Sequence, residues 1–330
     1  MNIPLSLLDL APVPAGSTIA NTFRESVELA RTAEAAGYSR IWYAEHHNMA
    51  SIASSATSVL IGHIAAQTST IRLGAGGIML PNHSPLVIAE QFGTLETLFP
   101  GRIDLGLGRA PGSDQATFRA LRRDPAAADS FPHDVLELQG FLTGNSRIPT
   151  VNAYPGTGTN VPIYILGSSL FGAQLAAQLG LPYSFASHFA PDALHAAVAA
   201  YRNNFQPSEQ LSEPHVIAGV GVVAAETNEQ AQVQMEQVRR DRVSSFLGRG
   251  RETPFTEPEI DMLMESAAGE QILKMLAYTA VGSPDAVREY LEGFARSAHA
   301  DELITVHNAS DPAERLASVR LTAQAMGLAG

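Results

Sequence analysis

In Pro4-Leu5-Ser6-Leu7-Leu8-Asp9-Leu10-Ala11-Pro12 the apolar run 4–10 reads as a β-strand, and the residues at its C-terminal end distinguish two folds. A doubly wound dinucleotide fold would place Gly-x-Gly-x-x-Gly directly after this strand, but Asp9-Leu10-Ala11-Pro12 stands there. The nearest later match, Gly106-Leu107-Gly108, meets Pro111 where the third glycine belongs. Seven more apolar runs read as strands, at 40–44, 71–76, 102–106, 162–166, 183–186, 216–224 and 302–306. Between them lie stretches of helical period, 22–36, 53–67, 85–98, 170–179, 191–205 and 312–326, several opening with Pro. Gly37, Gly180 and Gly327 stand just past helix ends, where a left-handed residue stops the helix. Eight strands alternating with helices predict an α/β fold, a (β/α)8 TIM barrel forming a single domain over 1–330. Two segments, about 110–154 and 225–282, read as insertions in the βα loops, which would extend over the catalytic face.

Composition narrows the function. With 45% hydrophobic and 16% charged residues in 330, the chain can bury a large core. Lys+Arg 21 against Asp+Glu 33 gives a net charge of −12, which repels phosphate backbones and anionic lipid, so neither nucleic acid nor membrane is an expected partner. The absence of cysteine removes disulfides, thiolate nucleophiles and Cys-ligated metal centres, and agrees with a reducing compartment. Lys274 is the sole lysine, so no Walker A loop exists, and Schiff-base chemistry would rest on a residue in what reads as a helix interior. The first residues lack a basic segment followed by an apolar run. The uncharged stretch 152–191 is broken by Pro162, Gly167-Ser168-Ser169 and Gly180-Leu181-Pro182, so no spanning helix is expected and the expected address is the cytoplasm.

In a barrel, chemistry comes from residues just past the strands' C-terminal ends. These positions hold Asp9, Glu45-His46-His47-Asn48, Gly76-Gly77, Gly108-Arg109, Gly167-Ser168-Ser169, Ser187-His188 and His307-Asn308. The histidines after Glu45 have three readings: structural donors, metal ligands, or an acid, base or charge stabiliser near neutral pH. Adjacent residues leaving a strand point to opposite sides, which disfavours the metal. Gly76-Gly77 marks either a bulge or a place where a flat ligand lies against bare backbone. Arg109 at a strand end suits a phosphate. Ser168-Ser169 opening a helix is either an ordinary cap or an anion site of hydroxyls, backbone N–H groups and dipole. Because Arg109 and the serines lie on consecutive strands, one phosphate could be held by both.

Four ordered segments carry a resemblance: Ala44-Glu45-His46-His47-Asn48-Met49; Leu80-Pro81-Asn82-His83-Ser84-Pro85-Leu86; the stretch Phe99-Pro100-Gly101-Arg102-Ile103-Asp104-Leu105-Gly106-Leu107-Gly108-Arg109; and Gly167-Ser168-Ser169 with Ala176-Ala177-Gln178-Leu179-Gly180-Leu181-Pro182. The chain resembles, over essentially its whole length, the bacterial luciferase-like flavin-dependent monooxygenase family, most closely its YhbW-like branch. The resemblance implies a barrel that binds FMN reduced by a separate flavin reductase and activates O2 as a flavin C4a-hydroperoxide to oxidise a small organic substrate. It puts His46 in the place of the family's catalytic histidine, with Glu45 and His47 as orienting groups. The Gly76–Gly77 bond takes the place of a non-proline cis peptide beneath the flavin ring, and Arg109, Ser168, Ser169 and Gly172 those of phosphate ligands. It implies no metal, and a homodimer through the helices 55–67 and 85–98. One departure stands out: luciferase catalytic subunits carry a cysteine where this chain has Gly108 and an acidic residue where it has Ser168, so light emission from a long-chain aldehyde is not implied. The rival readings are a deazaflavin-dependent oxidoreductase, a non-catalytic flavin-binding protein and a metal-dependent barrel hydrolase. The two insertions, where substrate choice would lie, carry no transferable motif.

Overall fold

A computed structural model describes residues 3–14, 16–109, 115–248, 251 and 253–328. Nine strands occur: β1 Leu5–Asp9, β2 Arg40–Tyr43, β3 Arg72–Met79, β4 Ile103–Gly108, β5 Ile163–Gly167, β6 Tyr183–Phe185, β7 Val216–Ala224, β8 Thr279–Gly282 and β9 Glu302–His307. Every pairing between them is parallel, and β6 pairs with β7, so β1 to β7 and β9 close into an eight-stranded barrel. All eight expected strands are present. β8 is an addition outside the ring: it pairs with Gly221–Ala224 of β7, the part of that long strand that outlasts its β6 neighbour. Its four residues, Thr-Ala-Val-Gly, are too short to announce a strand without the β7 edge that receives them.

Helix ends depart from sequence periodicity where side chains bind elsewhere. The stretch 53–67 is helical only over Thr57–Ala65, because Ser54 donates to the Leu10 carbonyl and ties the preceding residues to the loop after β1. At 22–36 the helix starts earlier, at Ile19, since Thr18 accepts from Asn21 N–H as an N-cap. Gly180 and Gly327 take the left-handed conformation at helix ends, as expected. Lys274 corrects an expectation: it is exposed, at the C-cap of helix Ala267–Leu273, and has no buried setting that would activate an amine.

The first inserted segment holds helix Phe131–Thr143 behind two short turns, and the second holds helices Asn228–Leu247, Glu257–Met264 and Ala267–Leu273 before β8. Residues 110–114 of the first and 249, 250 and 252 of the second lie outside the described residues.

Alternation along the strands fills the barrel. Leu8, Trp42, Tyr164, Ile217 and Ile304 meet inside it, with Ala44 and Val306 above them, while the intervening strand residues pack outward against the helices. At the N-terminal end, Arg40 bridges Glu302 (2.9 Å) and Asp104 (2.8 Å) and donates to the Tyr164 hydroxyl (2.7 Å). Arg72 adds a second bond to Asp104 at 2.5 Å, and Ser6 donates to Glu302. Burial works against the ionisation of Glu302, but bonds from His215 and Ser6 and the charge of Arg40 hold its carboxyl below the usual range. This charged plug closes the end of the barrel opposite the candidate site.

Candidate active site

The Glu-His-His stretch divides by strand parity. Arg40, Trp42 and Ala44 face into the barrel. Continued past the end of β2 at Tyr43, that alternation would put His46 on the barrel side and Glu45 and His47 on the other. The structure joins those latter two. Glu45, buried, accepts from His47 Nε2 at 2.8 Å, from His83 Nε2 at 2.9 Å and from the Met79 N–H at 3.1 Å. Burial alone would raise this carboxyl, yet the bonds from His47 and His83, the attraction of His83 and the Met79 N–H bring it down to about 2. The same bond to Glu45 raises His47 against the opposing effect of burial.

His83 is the residue that sequence reasoning did not single out, although it stands in the Leu80-Pro81-Asn82-His83 segment after β3. Nothing in local spacing ties it to Glu45, since 38 positions separate them. Its presence corrects the argument about metal geometry: Glu45 and His47 are not adjacent, and with His83 they bring three donor atoms within 4.8 Å of one another. The Nε2 of each ring is already paired with the carboxylate, so the trio forms a hydrogen-bonded unit.

The opposed shifts set a pH window. The Glu45 contribution is present above its unfolded value near 4.5 and is lost as pH falls toward 2; the His47 contribution is full below 6.5 and fades as pH rises through its elevated value. The stability difference between wild type and Glu45→Gln in urea melts is therefore expected to be largest between those limits and to shrink on either side. A difference that stays flat on acidification to pH 3 would show that the carboxylate contributes no net charge-dependent stability.

Gly76 and Gly77 are joined by a cis peptide bond, and β3 slips by one residue against β4 between Ala75 and Ile78. Both positions exclude a side chain on grounds of protein packing. A Cβ at Gly76 would stand 2.9 Å from Trp42 Cβ, and one at Gly77 2.7 Å from the Gly106 carbonyl oxygen. The register slip bears out the bulge reading, and close protein packing accounts for both glycines.

Arg109, just past β4, donates through Nε to the Ala128 carbonyl at 3.2 Å, lies 3.6 Å from the exposed Asp129 and stacks 4.2 Å from the centroid of Phe171. Phe171 is in the first turn of helix Leu170–Leu179, directly after Ser168 and Ser169. Ser169 is the N-cap residue but makes no capping bond with its side chain, and both serines are exposed. The simple cap reading therefore fails for Ser169. Gly172 is buried in this helix beside Tyr183, where a Cβ would make an ordinary contact at 3.4 Å. A guanidinium, two hydroxyls and a helix N-terminus stand at two neighbouring strand ends, a set of donors suited to an anion.

Two of the strand-end residues are structural. Asp9 turns outward to accept from Arg315 (2.9 Å), Ser26 (2.7 Å) and the Ala11 N–H (2.8 Å). His307, buried, contacts Ser318 and Thr305, and burial with the charge of Arg315 pushes it down to about 3, so it is neutral.

A closed parallel barrel whose polar groups gather at the strands' C-terminal ends is the layout of a barrel enzyme. The luciferase-like monooxygenase family profile matches residues 4–302, and the chain belongs to that family. It is 48% identical over 320 residues to a luciferase-like monooxygenase of Escherichia coli (strain K12), covering 97% of this chain and 96% of that protein. The N-acetyl-S-alkylcysteine monooxygenase of Bacillus subtilis (strain 168) is 37% identical over 256 residues, 76% of this chain and 75% of its own. Among solved structures, apo-MsnO8 superposes with TM-score 0.89 at 36% identity over 99% of both chains. At the level of fold alone, similar structures include a Baeyer–Villiger monooxygenase component with FMN (17% identity, TM-score 0.71) and an F420-dependent alcohol dehydrogenase (14%, 0.71). The chain is thus an oxidoreductase of the monooxygenase type. Among the described residues no helix is long and apolar enough to cross a membrane.

Proposed function

We propose that this chain is the oxygenase component of a two-component system, binding FMN reduced by a separate flavin reductase and oxidising a small organic substrate with O2 in the cytoplasm. The observation that carries the reading is the stacking of Arg109 on Phe171 beside the uncapped Ser169. Arg109, Ser168, Ser169 and the N–H groups of the helix start would hold the phosphate, with Gly76 and Gly77 under the ring. Reduced FMN, when bound, would supply the electrons that activate O2. His46, on the barrel side of the β2 end, would donate a proton or hydrogen bond where charge develops on the reduced oxygen, and Glu45 and His47 would position that stretch. The N-acetyl-S-alkylcysteines named for the Bacillus relative are the first substrates to try.

Anaerobic titration tests the cofactor. Arg109→Ala is expected to weaken reduced FMN by about 1.5–3 kcal/mol, roughly one to two decades in Kd, as for a charge-assisted hydrogen bond. Riboflavin, which lacks the phosphate, is expected to be insensitive. Equal losses for both would remove Arg109 from the phosphate site, and tight binding of a deazaflavin in preference to FMN would favour the deazaflavin-dependent reading.

The same reading includes a C2 homodimer. Of the apolar residues on the helices Thr57–Ala65 and Pro85–Leu98, Leu60, Ile88, Phe92 and Leu95 are buried in the core. Val59, Val87 and Leu98 remain outward, 71%, 44% and 63% exposed, on two neighbouring helices linked by the Ser58–Gln91 bond. Light scattering at micromolar concentration is expected to give the mass of two chains, and a monomer mass would refute it.

A further inference from the structure

His188, in the loop after β6, is half-buried, and its ring lies where β7 has Gly219: a Cβ there would meet His188 Nδ1 at 2.4 Å. Gly219 shares strand parity with Ile217, which faces into the barrel, so the imidazole sits over the barrel's interior at its C-terminal mouth. Its Nδ1 is buried with no hydrogen-bond partner among the described residues. Such an atom is costly to leave unpaired. Burial, and then the charge of Arg242, push this imidazole down to about 4, so it is neutral and its ring can donate from one nitrogen.

Arg242 belongs to the second insertion, in helix Asn228–Leu247. The preceding residue, Asp241, accepts from Ser310 in the loop after β9, and the charge of Arg242 acts on His188 after β6. Since β6, β7 and β9 are consecutive around the barrel, the end of this helix crosses the mouth above β7. Arg40, Arg72, Arg102, Arg109, Arg202, Arg240 and Arg315 all find oxygen acceptors. Arg242 finds none among the described residues and has only Phe246, with its ring centroid 5.9 Å away. Burial works against its charge without any carboxylate to offset it.

We propose that Arg242 and His188 form the subsite for a carboxylate on the organic substrate, with the guanidinium fork taking the carboxylate oxygens and the imidazole completing the contact. A planar carboxylate matches the fork and would supply the counter-charge that the protein withholds. The flavin phosphate has its own cation in Arg109, so the two anions are read by different strand ends. The inference deepens the proposed function, resting on the same barrel mouth as the reaction site, and assigns the inserted helix a part in substrate choice.

The test uses the full chain without added flavin, so it reads the subsite whether or not FMN proves to be the cofactor. Benzoate and benzamide serve as probes, and the His188 ring resonances, assigned with His188→Gln, are followed by 1H–15N NMR. Benzoate is expected to shift them saturably and benzamide not to. Arg242→Gln is expected to weaken benzoate by about tenfold or more, and Arg242→Lys, which keeps the charge but loses the fork, by less. A separate titration of Arg242→Gln with reduced FMN is expected to match wild type. Absence of a saturable response at His188, equal responses to the two probes, or retained benzoate affinity in Arg242→Gln overturns the proposal; so does a loss of FMN affinity in that variant, which would make Arg242 a flavin ligand.

Discussion

His46→Ala is expected to lower productive oxygen transfer by about 10²–10⁴-fold, the usual cost of removing a general acid or base, while leaving flavin affinity near wild type. Electrons passing to O2 in a closed pocket leave negative charge that water cannot solvate there, so a fixed donor is needed where the charge develops. A histidine suits that role near neutral pH because either protonation state can donate. His46 sits at the end of β2 beyond the inward-facing Ala44, whereas Arg109 and the serine pair stand at the ends of β4 and β5, so losing the imidazole leaves the phosphate contacts intact. The measurement is product formed against hydrogen peroxide released per reduced flavin, in wild type and variant with a verified substrate. More peroxide and less product is the expected result. Unchanged coupling and turnover would make His46 a structural residue, and Glu45 with His47 would then only brace the strand end.

The second large effect lies at the opposite end of the barrel. Arg40→Met is expected to cost about 3–5 kcal/mol of stability, because it takes the shared guanidinium away from two buried carboxylates, Asp104 and Glu302. Arg72 still reaches Asp104, and His215 lies 3.4 Å from Glu302, which keeps the loss from growing further. Urea unfolding read through Trp42, the sole tryptophan, reports the change directly, since Trp42 donates to Asp104 at 3.1 Å and is stacked by the same guanidinium. A midpoint near that of wild type would mean that the methionine packs well enough to make the ion pairs dispensable, an outcome known for some buried networks.

Strand content and barrel closure were legible along the chain, because alternation of apolar runs with helical period is local and the missing glycine fingerprint excludes the rival fold. The positions of Arg109, Ser168 and Ser169 at strand ends were legible too, since strand ends are recognisable once the strands are. Contacts between segments distant in sequence came from the folded chain alone. Parity within Glu45-His46-His47 is local, yet the partner that completes Glu45 and His47 is His83, brought in from β3 by the ring of strands. Asp9 and His307 looked equal to the other strand-end groups, but facing outward they meet Arg315 and Ser318 and become structural. β8 exists only because β7 extends past the barrel and offers an edge. Arg242 shows the limit most plainly: sequence marks a charged residue on a polar helix, whereas its lack of an acceptor among the described residues is a property of everything folded around it. Local patterns are written residue by residue, but which charges are paired depends on chain closure, where pairs hundreds of positions apart come within a few ångströms.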